Sequence, residues 1–236
     1  MLINDILVLG SKPRTNLPKI KFHKIYAANA AAERVFVYKK NNQNLEFISV
    51  VGALAYNRDL DVKNRIKKSK PDKIYVRSGK IKKNELPLKT KLFFLSNKKQ
   101  WDYQKKFFKR GVLSLIFSEL RYKTTFLNKI KYLIKNLKNK SFQGASTGFF
   151  TILLALEENV NSRIIVSGIS MQGGLHFYKS ARDKKFNYDG RAAVDRYLIS
   201  KLNKNLKNRI YSTDEDFIKF AKVKRFIRPK VKIDKY

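Results

Sequence analysis

The stretch "MQGGLHFYK" (Met171–Lys179) places a histidine two residues past a Gly-Gly pair. Imidazole ionises near neutral pH, so His176 can serve as general base or acid. The only other histidine is His23, and cysteine is absent. Disulfides, thiolate metal sites and a cysteine nucleophile are thereby excluded, and a histidine-based metal site lacks ligands. Tyr178 and Tyr188 carry phenols that can donate hydrogen bonds to a departing phosphate, and Arg182 and Arg191 carry guanidinium groups that can clamp phosphate or carboxylate. Asp189 and Asp195 are the acids nearest to this segment. Asp195, four residues after Arg191, reads as its intrahelical ion-pair partner. Packing of His176 on a sheet edge and a core role for the tyrosines fit the same residues equally well.

A second feature lies upstream, in "ASTGFFTILLALEE" (Ala145–Glu158). Ser146 or Thr147 can cap a helix there, and its residues are apolar nearly all round, so the helix should be buried. A hydroxyl-capped helix N-terminus is a ready anion site. The sequence has no G-x-G-x-x-G, no Walker lysine-serine pattern and no D-x-D pair placed to hold a nucleotide-bound divalent cation; "RDLD" (Arg58–Asp61) is the nearest to the last, and it follows no clear strand end. Nucleotide chemistry here is therefore expected to need no metal and no cofactor, with hydroxyls, amides and cations neutralising phosphate.

Apolar runs separated by turn or helical segments must position these groups. "DILVLG" from Asp5, "KIYAANA" from Lys24, "RVFVYK" from Arg34, "FISVVG" from Phe47, "KIYVR" from Lys73, "KLFFLS" from Lys91, "LSLIF" from Leu113, "RIIVSGI" from Arg163 and "RIYS" from Arg209 read as strands. Helices are expected over Ser96–Arg110, Thr124–Lys140, Thr147–Glu158, Arg191–Leu206 and the acid-led "STDEDFIKF" from Ser212. In the Thr124–Lys140 helix, Phe126, Ile130, Leu133, Ile134 and Leu137 share one face, which is expected to lie on the sheet, a helix lying on a membrane being the alternative. This alternation predicts an α/β sheet with a substantial parallel component. Ligands of such sheets bind beyond the carboxyl ends of the strands. That rule selects Gly10-Ser11-Lys12-Pro13, Asn29, Gly52 and the loop from Ser170 to Tyr178, with the helix start at Ser146-Thr147-Gly148 facing the same edge.

The formal net charge is +35 over 236 residues, from 53 Lys and Arg against 18 Asp and Glu. Lysines recur throughout rather than in one stripe, a pattern that biased composition alone produces; attraction to an anionic membrane face or to nucleic acid also fits. No zinc-finger spacing or RNP pattern accompanies the charge. No run of about 18 uncharged apolar residues is present, and the N-terminus reads as a strand rather than a signal peptide. A cytoplasmic location follows as the expectation. The segment from Lys222, "KVKRFIRPKVKIDKY", is basic and reads as an appended tail (222–236) that could hold the protein on the inner membrane face.

The ordered features resemble bacterial sialyltransferases of the Campylobacter type, glycosyltransferase family 42. "STGFFTILLAL" followed by "RIIVSGISMQGGLHFY" is similar to that family's Ser-Gly, buried helix, strand ending in Gly-Ile, and loop with two tyrosines. "ILVLGSKP" resembles its opening nucleotide-binding turn, and "YAANA" its Asn-containing second strand. The resemblance covers roughly residues 5 to 217, and only 145–178 is specific. It implies one Rossmann-like domain (1–221), a GT-A-like variant with a small lid at about 170–191. The implied activity is metal-independent, inverting transfer of sialic acid or a similar sugar acid from a CMP-activated donor to a glycan or glycolipid acceptor. By position, Asn29 matches the nucleotide-binding asparagine, Thr147 and Gly148 the Ser-Gly pair, and Tyr178 the second phosphate-binding tyrosine. Gly10, Ser11, Ser146, Ser170, Gln172, Tyr188 and Arg191 complete the expected donor site.

The sequence departs from the family at Ser11, Lys12 and Arg14 in the opening turn, at Gly52, and at Gln172 where the first tyrosine would stand. "NYDGRAA" holds no histidine where the family's base lies, which leaves His176 or Asp189 for that role. A non-catalytic basic protein that binds nucleotide or nucleic acid is the alternative reading.

Overall fold

The computed structural model describes residues 5–40, 42, 44–122, 125–139, 144–172, 176 and 189–227; side chains of 122, 139, 189 and 190 are not described. Tyr178, Arg182, Tyr188, most of the expected lid and residues 228–236 lie outside the described residues.

Strand β1 (Asp5–Leu9) leads through a long turn to β2 (Lys24–Ala28). A 3-10 segment (Asn29–Val35) runs on into α1 (Phe36–Lys39), followed by β3 (Glu46–Gly52), α2 (Ala53–Arg58), α3 (Leu60–Ser69), β4 (Lys73–Arg77) and β5 (Lys91–Leu95). Next come α4 (Asn97–Lys105), α5 (Gly111–Tyr122), α6 (Phe126–Asn139), α7 (Thr147–Glu158) and β6 (Arg163–Ser167). The chain closes with α8 (Asp189–Lys201), α9 (Lys204–Lys207), β7 (Ile210–Ser212), α10 (Glu215–Ala221) and β8 (Lys224–Arg225).

The eight strands form one sheet in the order β5-β4-β3-β2-β1-β6-β7-β8, and every pairing is parallel. Parallel strands need crossovers, and helices cover both faces of this sheet, as in Rossmann-like folds. Strand alternation divides the core. Ile6, Val8, Ile48, Val50 and Val166 face α4, α5, α7, α8 and α10. Leu7, Leu9, Ile25, Val51 and Val76 face the 3-10 segment, α2 and α3. Helix α7 is buried without interruption from Phe149 to Leu156, as its uniform apolar surface requires. Strand order reverses at β1, which adds β2 on one side and β6 on the other; this is the topological switch point.

Three expectations are corrected. "RVFVYK" is helical because three buried alanines precede it and Val35 and Tyr38 face the core at helical spacing. "LSLIF" lies in α5, where Ser114, Leu115, Ser118 and Glu119 turn inward together, a period of four that a short apolar run conceals. The apolar stripe of α6 faces outward rather than onto the sheet, except for Leu133, which packs against the core; Phe126 is 74% exposed. Asp195 accepts the amide of Ser146 (2.9 Å) and also feels the charge of Arg191, as expected of the pair. The basic segment from Lys222 opens with β8, paired to β7 at the sheet edge.

Candidate functional site

The switch point is closed by two turns that press on one another. The Gly10 amide donates to Ser167 O (2.8 Å) and the Lys12 amide to Gly168 O (2.8 Å). A Cβ at Gly10 would sit 2.1 Å from Gly168 O, and Gly168 itself has φ +80°, so both positions need glycine. Arg34 fixes the first turn from behind, donating to Gly10 O (2.7 Å) and Lys12 O (2.6 Å). Asp214 accepts from Thr15 Oγ1 (2.7 Å) and from the Gly168 amide, and burial raises its pKa. Asp216 pairs with Lys12 and accepts from Ser170 Oγ (3.0 Å). The two carboxylates thus tie β1, β6 and α10 together just beneath the carboxyl edge.

A cleft of about 360 Å³ opens there. It is lined by the ends of five elements: Gly10-Ser11-Lys12 after β1, Asn29 after β2, Gly52 after β3, Arg77-Ser78 at the end of β4, and Gly168-Ile169-Ser170 after β6. Ser146, Thr147 and Gly148 form another wall, and His176, Arg191, Ala192 and Asp195 complete it. Of the residues expected from sequence, Gly10, Ser11, Asn29, Ser146, Thr147, Gly148, Ser170, His176 and Arg191 therefore meet around one space. Gln172 does not; it is exposed, with its amide donating to Ser170 Oγ (3.1 Å). Asp189 opens α8, with its side chain outside the description, and Tyr178 and Tyr188 lie outside the described residues altogether.

His176 Nδ1 lies 2.6 Å from Ser11 Oγ. In the tautomer with Nδ1–H donating to Ser11, Nε2 is the basic nitrogen. Asn29 adopts a left-handed backbone, φ +50°, which asparagine tolerates better than most residues. Its Oδ1 lies 3.4 Å from the Gly52 amide, bridging the ends of β2 and β3.

The α7 wall is the most elaborate part of the site. Ser146 is the N-cap, and its hydroxyl accepts from the Phe149 amide (3.2 Å). The Ser146 amide donates to Asp195 Oδ1 (2.9 Å). The amides of Thr147 and Gly148, the first two of the helix, have no intrahelical acceptor, and both residues line the cleft. They are the groups to which an anion would bind.

Arg77, Asp195 and Arg191 carry charge at this wall, and Glu119 pairs with Arg191. Arg77 is buried, donates from Nε to Gln100 Oε1 (2.7 Å) and from Nη2 to Ala145 O (2.8 Å), and its guanidinium lies 4.4 Å from the centre of the Phe150 ring. Burial, reinforced by neighbouring Arg191, pushes its pKa down to about 9, so it remains charged at neutral pH. Asp195 is 3% exposed, and burial raises its carboxyl to about 6 against the opposing pull of the Ser146 hydrogen bonds, Arg191 and Arg77. Arg191 donates to Glu119 Oε1 (3.1 Å) and Gly144 O (3.2 Å). Arg77, Asp195 and Glu119 were not legible as site residues. Their only signal is a charged residue closing a strand or set on a helix among apolar neighbours, which a lysine-rich chain obscures.

No family profile, curated protein or solved structure matches the chain. A functional reading therefore draws on the cleft's geometry and on the residue-level resemblance described above.

Proposed function

We propose that the protein is a glycosyltransferase of sialyltransferase type, moving a sugar acid from a CMP-activated donor to a glycan acceptor with inversion and without a metal. The observation that carries this reading is the capped N-terminus of buried α7. It opens into a switch-point cleft that the Gly10-Ser11 turn also lines, together with a histidine hydrogen-bonded to Ser11. Such a helix end is suited to the phosphate of a nucleotide, and a 360 Å³ cleft falls at the small end of ordinary ligand sites.

In this reading the donor phosphate accepts from the Thr147 and Gly148 amides, and Asn29 and the Gly10-Ser11 turn hold the nucleoside. His176 Nε2 takes the proton of the acceptor hydroxyl as its oxygen bonds to the anomeric carbon, while the bond from that carbon to the phosphate oxygen breaks and its electron pair leaves with CMP. Tyr178 and Tyr188 are assigned to the departing phosphate, and Asp189 stands as the second candidate base. The basic segment after Lys222 is assigned to the anionic membrane face, where lipid-linked acceptors are presented.

Incubation with CMP-linked sialic acid and with a second CMP-linked sugar acid, in excess EDTA, tests the proposal. CMP release that a glycan acceptor accelerates is expected. Absence of release from either donor, together with steeply salt-dependent RNA binding that CMP does not alter, would favour the non-catalytic alternative.

A further inference from the structure

Helix α6 is amphipathic but docks by the side that carries Tyr132, Leu133 and Asn136 rather than by the middle of its apolar stripe. Asn136 is buried, Tyr132 and Leu133 are half-buried, and the Tyr132 hydroxyl donates to Glu119 Oε2 on α5 (2.8 Å). The opposite side carries Phe126, Leu127, Ile130, Ile134 and Leu137, each between 38% and 74% exposed. On a helical projection these five fall within a continuous arc of about 100°. Lys131 and Lys138 border the arc on one side, Leu133 and beyond it half-buried Lys129 lie on the other, and the helix contains no acidic residue. On the adjoining α5, Leu113 (52%) and Phe117 (46%) are also exposed, and Phe117 shares a shallow groove with Lys129 of α6. A soluble helix of this composition would turn its stripe to the core, and here the stripe is left in solvent.

We propose that the outward face of α6 binds an anionic lipid surface, lying in the headgroup plane with its apolar stripe in the acyl boundary. Two properties select this occupant. The stripe needs an apolar phase, which nucleic acid does not offer along a face of this length. The flanking lysines, on a chain of net charge +35, need negative charge, which a second copy of the chain does not offer. An anionic bilayer offers both, and an apolar stripe edged by lysines is the pattern that interfacial helices use. No helix among the described residues is long and apolar enough to cross a membrane, so contact through α6 would be peripheral. The inference does not depend on the transferase reading.

Flotation of the full chain with vesicles of phosphatidylglycerol and phosphatidylcholine, against phosphatidylcholine alone, is the test. Wild type is expected to float with the anionic vesicles, and Ile130→Ser/Ile134→Ser to lower that partition at least tenfold. Neither side chain belongs to the buried core, Ile130 being 38% and Ile134 66% exposed, so the variant should melt close to the wild-type temperature. Lys131→Glu/Lys138→Glu should also weaken binding and flatten its salt dependence. The basic segment after Lys222 is present in every variant, so wild-type flotation of Ile130→Ser/Ile134→Ser would mean that this segment alone binds, and would overturn the proposal. It would also be overturned by an oligomer that dissociates in this variant while lipid binding is unchanged, which would assign the face to a second copy. Equal losses of RNA and vesicle binding in the serine variant would likewise defeat it.

Discussion

Replacing Arg77 by Leu is expected to destabilise the fold by ~3–5 kcal/mol, the usual cost of leaving one partner of a buried ionic set without its counter-charge. The side chain has no solvent to compensate its loss. Its removal strips donors from Gln100 Oε1 and Ala145 O and takes a cation from beside buried Asp195. For a chain of this size such a loss lowers the melting temperature by roughly 6–20 °C. Combining Arg77→Leu with Asp195→Asn should cost less than the two single changes summed, because the stranded carboxylate is then absent. Thermal melts of the three variants give the answer. A change below ~1 kcal/mol for Arg77→Leu, or strict additivity, would show that the charges behind α7 do not act as a unit.

Replacing His176 by Asn is expected to reduce turnover by about 10²- to 10⁴-fold, the range for loss of a positioned general base, while CMP affinity changes little. Ser11→Ala should cost less, since it removes only the group that orients the imidazole (2.6 Å from Nδ1). The pH–rate profile separates roles: the acidic limb set by the base should vanish in His176→Asn and persist in Ser11→Ala. Full turnover by His176→Asn with loss in Asp189→Asn would move the base to Asp189.

Much of this architecture can be read from residue order. Short apolar runs ending in Gly or Asn, such as "DILVLG" and "FISVVG", are strands whose last residues line the cleft, because a parallel sheet gathers its carboxyl ends on one edge. Ser146 is legible as a cap because a hydroxyl before an apolar helix has few other uses. What fails is instructive in physical terms. "LSLIF" and "RVFVYK" are too short for apolar content to distinguish strand from helix, and tertiary packing decides. The stripe of α6 is correct as a stripe, but periodicity does not say which side meets the core. Arg77 and Asp195 are hidden because burial, not residue type, gives them their importance, and a chain with 53 basic residues offers no reason to single out one arginine.

The central claim, that the first turn of α7 binds the phosphate of CMP, has a direct test in Thr147→Pro. Proline suits the first position of a helix, where it deletes one amide that has no helical partner. Ser146, at φ −58° and ψ 168°, already has the extended backbone that a following proline requires. Calorimetric titration of CMP into wild type, Thr147→Ala and Thr147→Pro isolates that amide from the side chain. The account predicts CMP binding preferred over UMP, GMP and AMP, with Thr147→Pro at least about tenfold weaker than Thr147→Ala at an unchanged melting temperature, as expected for one hydrogen bond to a charged group. Equal CMP affinity in the alanine and proline variants would contradict it.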